Sequence, residues 1–430
     1  MVPSSFVSIL FLGAFCVNAK ADELSGFIDM SDSRPGKTEG SGMFYWMFPA
    51  VNRKFEDAPL LIWLQGGPGS SGALGLFFEN GPYYLNDDLK LEDRPQKWNL
   101  DYNVVYLDQP VGTGYSYVGK EDAYTTSQDE VATDLYFFLQ RFYEQYPALA
   151  VVPLFITGES YGGHYIPAFA SKILTENEVV KTNQKENVLV PLEGIAIGDG
   201  FTEPCVQITT KPAVAYHLGI IDSKTYLEAT KVMNQAVSAC NAGDYDAAHD
   251  YRSQMESIVL ECGINAYDVR TFGSYSYMDD RMEIYLNEPQ TQQMLNVGNA
   301  SWGTDEGVSI GLYNDVMRSQ ADKFPQILNN IRVLLYQGQF DWKDGPAQNE
   351  QWINQVDWAG KQGYLSAKRG IWMTPNSEND MELSGWVQSS GTLTELVVNA
   401  AGHLAPMDQP DRLLSMISTF VENKPFATKD

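Results

Sequence analysis

A chain of 430 residues with 44% hydrophobic side chains has room for one large α/β core carrying a sizeable insertion. Its 29 Lys and Arg stand against 55 Asp and Glu, a formal charge of −26 near neutral pH. A field of that sign repels phosphate backbones and anionic bilayers, so neither nucleic acid nor a membrane is expected as a partner. It suits an acidic compartment, where carboxylates partly neutralise, as well as it suits plain solubility.

The first feature along the chain is an apolar run over residues 6–17, followed by Asn18-Ala19-Lys20-Ala21. Val17 and Ala19 have the small-residue spacing that a signal peptidase reads, so residues 1–19 are expected to be a signal peptide. The run is shorter than the ~18–20 residues that cross a bilayer. The expected route is the secretory pathway, ending outside the cell or in a lysosome or vacuole. Cleavage removes Cys16 and leaves Cys205, Cys240 and Cys262. Cys240 and Cys262 flank a helical stretch and are the expected disulfide, with Cys205 free. Asn299-Ala300-Ser301 is a glycosylation sequon, expected on a surface loop.

Beyond residue 22, short apolar runs alternate with longer helical patterns, as in parallel strands joined by crossover helices. Strands are expected at 60–64, 104–107, 154–157, 195–197, 333–336 and 396–398. Between the second and third lies a helix opened by Ser127 and Glu130 as a capping box. Val131, Leu135, Phe138, Phe142 and Tyr146 form one of its faces, and Pro147 stops it. Over 205–305 the alternation gives way to helices at 225–237 and 247–259 among polar turns. The expected organisation is a core at 22–204, a cap over the active site at 205–305, and a second part of the core at 306–430.

Gly158-Glu159-Ser160-Tyr161-Gly162 has the form G-x-S-x-G, between the expected strand 154–157 and a helical run over 166–175. That context predicts a nucleophile elbow, a sharp strand-to-helix turn that lifts the Ser160 hydroxyl clear of the backbone. A serine hydroxyl is a weak nucleophile until an imidazole takes its proton. Of His164, His217, His249 and His403, only His403 follows a late strand, in the order serine, acid, histidine of an α/β-hydrolase fold. His164 is expected to pack on its helix, and His217 and His249 to be solvated. Asp341, after strand 333–336, is the favoured acid. Asp199, after 195–197, competes with it but comes early for that role. Two backbone amides must also meet the charge of a tetrahedral intermediate. Tyr161 offers one, and the loop Gln65-Gly66-Gly67-Pro68-Gly69-Ser70-Ser71-Gly72 offers the other. That loop lacks the lysine of a phosphate loop, and Pro68 removes a donor. No histidine spacing suggests a metal, and no cofactor is expected. The expected fold is an α/β-hydrolase fold: a mostly parallel central sheet flanked by helices, with a helical cap insertion.

Five longer runs carry a resemblance. They are Ile62-Trp63-Leu64-Gln65-Gly66-Gly67-Pro68-Gly69; Phe77-Phe78-Glu79-Asn80-Gly81-Pro82; Asp108-Gln109-Pro110-Val111-Gly112-Thr113-Gly114-Tyr115-Ser116; Gly158-Glu159-Ser160-Tyr161-Gly162-Gly163-His164-Tyr165; and Gly402-His403-Leu404-Ala405-Pro406-Met407-Asp408-Gln409-Pro410. Through them the chain resembles the serine carboxypeptidase family over nearly its whole mature length. Gln65 and the stretch from Asp357-Trp358-Ala359-Gly360 to Gly402-His403 resemble the vitellogenic-like and retinoid-inducible branches. The resemblance implies a triad of Ser160, Asp341 and His403, and an oxyanion hole from the Gly67 and Tyr161 amides. It further implies that Glu79 and Glu159, supported by Trp63, Gln65 and Gly66, bind the substrate's terminal carboxylate.

Physical chemistry agrees with that last role. Two close carboxyls cannot both ionise cheaply, so one keeps a proton and can donate it to a third carboxylate, best at acid pH. The expected activity is a serine-type carboxypeptidase acting on peptides with a free C-terminus. An acyltransferase or esterase on the same scaffold, or a non-enzymatic binding protein, are the alternatives. The chain departs from the family pattern at three places. Gln65 replaces a usual Asn, and Ser70 replaces a Cys, removing a family disulfide. After Asp341, Trp342-Lys343-Asp344 stands where apolar residues are usual, so no hydrophobic preference is carried over.

Overall fold

A computed structural model describes residues 24–429, apart from 183–186, 274–279, 304–305 and 376–379. The expected signal peptide lies outside the described residues. Eleven strands form the main sheet. In chain order they are β1 (Leu24–Asp29), β2 (Gly42–Phe48), β3 (Leu60–Leu64), β4 (Asn103–Leu107), β5 (Leu154–Glu159) and β6 (Leu192–Gly198). Then come β7 (Arg332–Gly338), β8 (Gly370–Pro375), β9 (Met381–Ser390), β10 (Leu393–Val398) and β11 (Thr428–Lys429). Their order across the sheet is β1-β2-β4-β3-β5-β6-β7-β10-β9-β8-β11. The central block from β4 to β10 is parallel. Both flanks pair antiparallel, so the sheet is mixed at its ends.

The central strands read as unbroken apolar runs because both faces are covered. On β3, Leu60, Ile62 and Leu64 pack with Phe138 and Phe142 of α1 (Gln128–Gln145) and with Ile166 and Phe169 of α2 (Gly162–Lys181). Leu61 and Trp63 point the other way, into a cluster with Tyr336, Met416 and Phe420. Each such side chain, fully buried, contributes ~1.5–3 kcal/mol relative to exposure. Only half of the expected capping box forms at α1. The Ser127 hydroxyl accepts from the Glu130 amide at 3.4 Å, but the Glu130 carboxylate turns to the Thr126 amide at 2.9 Å and to Lys37.

Between β6 and β7 the chain leaves the sheet. Its largest elements are α3 (Ser223–Ala242) and α4 (Tyr245–Leu260), a helical hairpin turned at Gly243, which has φ +74°. The expected Cys240–Cys262 bridge is not made; Cys205 pairs with Cys240, and Cys262 is free and exposed. Geometry explains the correction. Cys240 lies at the closed end of the hairpin, whereas Cys262 follows the 16 residues of α4, roughly 24 Å of helix farther on. A disulfide needs Cα atoms about 4.4–6.8 Å apart, and those of Cys205 and Cys240 are 6.1 Å apart. Asn299 is exposed.

Candidate active site

Strand β5 ends at Glu159 and α2 begins at Gly162, so Ser160 occupies the turn between them. Its φ of +56° is unusual for a residue with a side chain, and the surroundings hold it there. The Ser160 amide donates to the Gly198 carbonyl at 3.0 Å, and its carbonyl accepts from Gly163 and Phe201 at 2.8 Å each. Gly158 admits a close crossing: a Cβ there would meet the Leu64 carbonyl oxygen at 2.1 Å. Gly66 is pressed against the turn in the same way. A Cβ on it would lie 2.7 Å from both Ser160 Cβ and the Tyr161 amide nitrogen. The Gly-rich loop after β3 is thereby brought against the nucleophile, with Gly67 and Tyr161 lining one cavity with Ser160.

His403 comes from the loop after β10 and Asp341 from the loop after β7. Nδ1 of His403 lies 2.9 Å from Oδ2 of Asp341. The Asp341 carboxylate also accepts from the amides of Lys343 at 2.6 Å and Asp344 at 3.0 Å, which fixes its orientation. The His403 amide donates to the Tyr267 carbonyl at 2.7 Å, and the Tyr267 ring packs on the imidazole at 4.7 Å. Nε2 has no partner among the described residues and is the nitrogen left to take a proton. Ser160 and His403 line the same cavity of about 430 Å³.

Asp199, the competing acid of the sequence analysis, lies beside Asp341 rather than in its place. Polar atoms of Asp199, Asp341 and His403 all fall within 4.8 Å of one another. Oδ1 of Asp199 accepts from the Gly338 amide at 2.8 Å. Burial, and then the charge of Asp341, raise its pKa well above the carboxylate range. The three side chains have donor types that a metal could use; both Asp341 oxygens and Oδ1 of Asp199 are bonded to backbone amides or the imidazole, while Oδ2 of Asp199 has no hydrogen-bond partner among the described residues.

On the β3 side of Ser160, Trp63 Nε1 donates to Gln65 Oε1 at 2.7 Å, and Gln65 Nε2 donates to Glu159 Oε1 at 2.9 Å. Glu79 ends a short helical turn, Gly75–Glu79, and its carboxyl lies beside that of Glu159. Both are buried. Burial pushes Glu79 up to about 7, and burial together with the Glu79 charge pushes Glu159 well above its ordinary range. Trp63, Gln65, Gly66, Glu79 and Glu159 are thus gathered at one end of the site.

The other histidines divide. His164 is buried, stacks on Tyr161 at 4.2 Å, bonds the Phe201 carbonyl through Nδ1, and is pushed down to about 3 by burial, so it packs as a neutral ring. His217 is exposed. His249, expected to be solvated, instead lines the cavity from α4. With it come Arg252, Glu256, Tyr267, Tyr313 and Lys343, most of which sequence reasoning missed. The i, i+4 pair Arg252 and Glu256 on a helical pattern, and the unusual Lys343, were the available signals.

A serine on a strained strand-to-helix turn, with acid and histidine at the ends of later strands of one parallel block, defines an α/β-hydrolase. The chain belongs to the serine carboxypeptidase family, hydrolases that act on peptide bonds: the family model of that description matches residues 16–423. It is 36% identical over 410 residues to a probable serine carboxypeptidase CPVL of Dictyostelium discoideum, covering 94% of this chain and 79% of the relative. With the human probable serine carboxypeptidase CPVL it shares 32% identity over 397 residues, covering 90% and 82%. In structure it is similar to Kex1Δp, a prohormone-processing carboxypeptidase from Saccharomyces cerevisiae. The TM-score is 0.83 at 22% identity, with 94% and 92% of the chains covered, a likeness of fold.

Proposed function

We propose that the protein removes single amino acids from the C-termini of peptides at acidic pH, through an acyl-enzyme on Ser160. Ser160 Oγ attacks the last peptide carbonyl while His403 Nε2 takes its proton, and Asp341 holds the imidazole and stabilises its charge. The Gly67 and Tyr161 amides receive the oxyanion. His403 returns the proton to the departing amine, and water, activated by the same nitrogen, releases the shortened peptide. The leaving residue's carboxylate is held by the protonated Glu79–Glu159 pair, with Gln65, Trp63 and the Gly66 backbone orienting it.

One observation carries this reading: Glu159, which directly precedes Ser160 and is held by Gln65, is buried beside a second buried carboxyl, Glu79. Such a pair donates hydrogen bonds to an anion only while protonated. Acid operation accords with delivery through the secretory pathway to the exterior, a lysosome or a vacuole. The Cys205–Cys240 bridge supports an oxidising route, and the exposed Asn299 is the position where a glycan would attach on that route. No helix among the described residues is long and apolar enough to cross a membrane. We further propose that α3 and α4 belong to a cap set on the hydrolase core.

The test is turnover of N-blocked dipeptides with free and with amidated C-termini from about pH 4 to 8, beside a Ser160→Ala control. Free carboxylates should be strongly preferred, most of all at the acid end. Equal turnover of both forms, or full activity in Ser160→Ala, would overturn the proposal.

A further inference from the structure

At the end of the cavity away from Glu79 and Glu159 lies a cluster of charged side chains that the catalytic steps above do not use. Glu256 on α4 is bound by three cations. Lys211 Nζ donates to Oε1 at 2.6 Å, Arg252 Nε to the same oxygen at 3.0 Å, and Lys343 Nζ to Oε2 at 2.9 Å. Lys211, Arg252 and Glu256 are at least nine-tenths buried. The three cations hold Glu256 well below the ordinary carboxylate range despite its burial, so it is ionised throughout. Asp344 is a second acid beside Lys211 and Lys343, buried, with one oxygen lacking any partner among the described residues; the Asp341 carboxylate near it is taken up by His403 and by the Lys343 and Asp344 amides. Asp250, farther out on α4, is taken up by the Tyr313 hydroxyl at 2.5 Å. Three cations against Glu256, or against Glu256 and Asp344 together, leave a surplus of two or one positive charges.

That surplus has free donors. Arg252 donates from Nε to Glu256, and this is the one hydrogen bond its guanidinium makes among the described residues. Its guanidinium rests on the Phe201 ring, 4.4 Å from the centroid, which fixes the plane of the fork. Lys343 spends one of three donors on Glu256 and keeps about a quarter of its side chain exposed. Arg252, Glu256, Lys343 and Asp344 all line the cavity that contains Ser160. A guanidinium with two open nitrogens beside an ammonium is the donor set that takes a carboxylate.

Sheet order says which part of the substrate meets it. Gln65 follows β3, Ser160 follows β5, Phe201 follows β6 and Lys343 follows β7, and these four strands are neighbours in that order. The nucleophile therefore lies between the Gln65–Glu159 end, which takes the departing residue, and the Arg252–Lys343 end. We propose that Arg252 and Lys343 form a subsite for an acidic side chain on the residue just before the scissile bond, making the enzyme selective for peptides with Glu or Asp there. This rests on the carboxypeptidase reading.

The test is a series of N-blocked dipeptides, Xaa-Leu, with Xaa = Glu, Gln, Leu or Lys, and the reversed set Leu-Xaa. They are assayed near pH 5.5, where a glutamate side chain of pKa ~4.3 is mostly ionised. Glu-Leu should exceed its uncharged isostere Gln-Leu by about 10-fold or more in kcat/KM, the scale of a hydrogen bond between charged groups, with Lys-Leu slowest. In Lys343→Gln and Arg252→Gln the Glu-to-Gln ratio should fall towards one. Comparable rates for Glu-Leu and Gln-Leu, a glutamate preference seen only in the Leu-Xaa set, or a ratio unmoved in folded variants would each overturn the subsite while leaving the carboxypeptidase reading intact. Failure to cleave any member of either set would remove both. Should a variant not fold, the unsubstituted enzyme decides the matter through its Glu-to-Gln ratio.

Discussion

Gln65 Nε2 donates to Glu159 Oε1 at 2.9 Å, and through that bond the loop after β3 is tied to the residue preceding the nucleophile. The second Glu159 oxygen has no hydrogen-bond partner among the described residues and lies near Glu79, whose pKa burial lifts to about 7. Both carboxyls are raised, so the folded state binds more protons than the unfolded one from about pH 4.3, the unfolded glutamate value, up to about 7. Stability therefore declines as pH rises through that window, and on the proposed role of the pair affinity for a terminal carboxylate should decline with it. A Glu79→Gln/Glu159→Gln double variant, whose amides donate without titrating, should lose most of this pH dependence. Profiles of KM for a free-carboxylate dipeptide, and of Tm, from about pH 4 to 8 check it; an unchanged alkaline rise in KM would contradict it.

Asp199 lies beside Asp341, and its variants test whether it acts on the reaction through that residue. In Asp199→Asn the side-chain oxygen can still accept from Gly338 and the amide can still donate to Asp341, so activity should stay within a few-fold of the parent enzyme. Asp199→Ala leaves the buried Gly338 amide unpaired, at a cost of about 1–3 kcal/mol. It also removes the donor from Asp341 and should lower kcat more than it raises KM. Denaturant unfolding and steady-state kinetics on both variants separate these effects.

Gly66 brings the proposed oxyanion loop close against the elbow. A methyl group there must displace either Ser160 or the Tyr161 amide, which it would approach to 2.7 Å. Gly66→Ala should therefore reduce kcat by about 10²–10³, as the loss of one oxyanion donor does elsewhere. The Cys205–Cys240 bridge should be unaffected, and near-native circular dichroism would confirm that the loss is local.

Cys205 and Cys240 are 35 residues apart, and closing a loop of that length stabilises by about 4 kcal/mol on the chain-entropy account. Cys205→Ser should lower the denaturation midpoint accordingly. Cys262→Ser, at an exposed site, should change stability by no more than about 0.5 kcal/mol. Alkylation of the native protein should label Cys262; labelling of Cys205 or Cys240 instead would contradict the pairing.

Much of the fold was legible locally. Strands such as Leu60–Leu64 announce themselves because a strand covered on both faces must be apolar throughout, and the elbow does so because Ser160 needs close-packed neighbours such as Gly158. The order of motifs along the chain also determined the family and pointed to Ser160, Asp341 and His403. Tertiary structure decided what depends on distances between remote segments. It placed Asp199 beside Asp341, with the His403 ring bonded to Asp341. It moved the bridge from Cys262 to Cys205, because helix length rather than sequence spacing sets where a thiol ends up. It also gathered Lys211, Arg252 and Lys343 around Glu256. Electrostatic partners are chosen by proximity in space, and no local pattern in a chain records which helix will fold across which strand end.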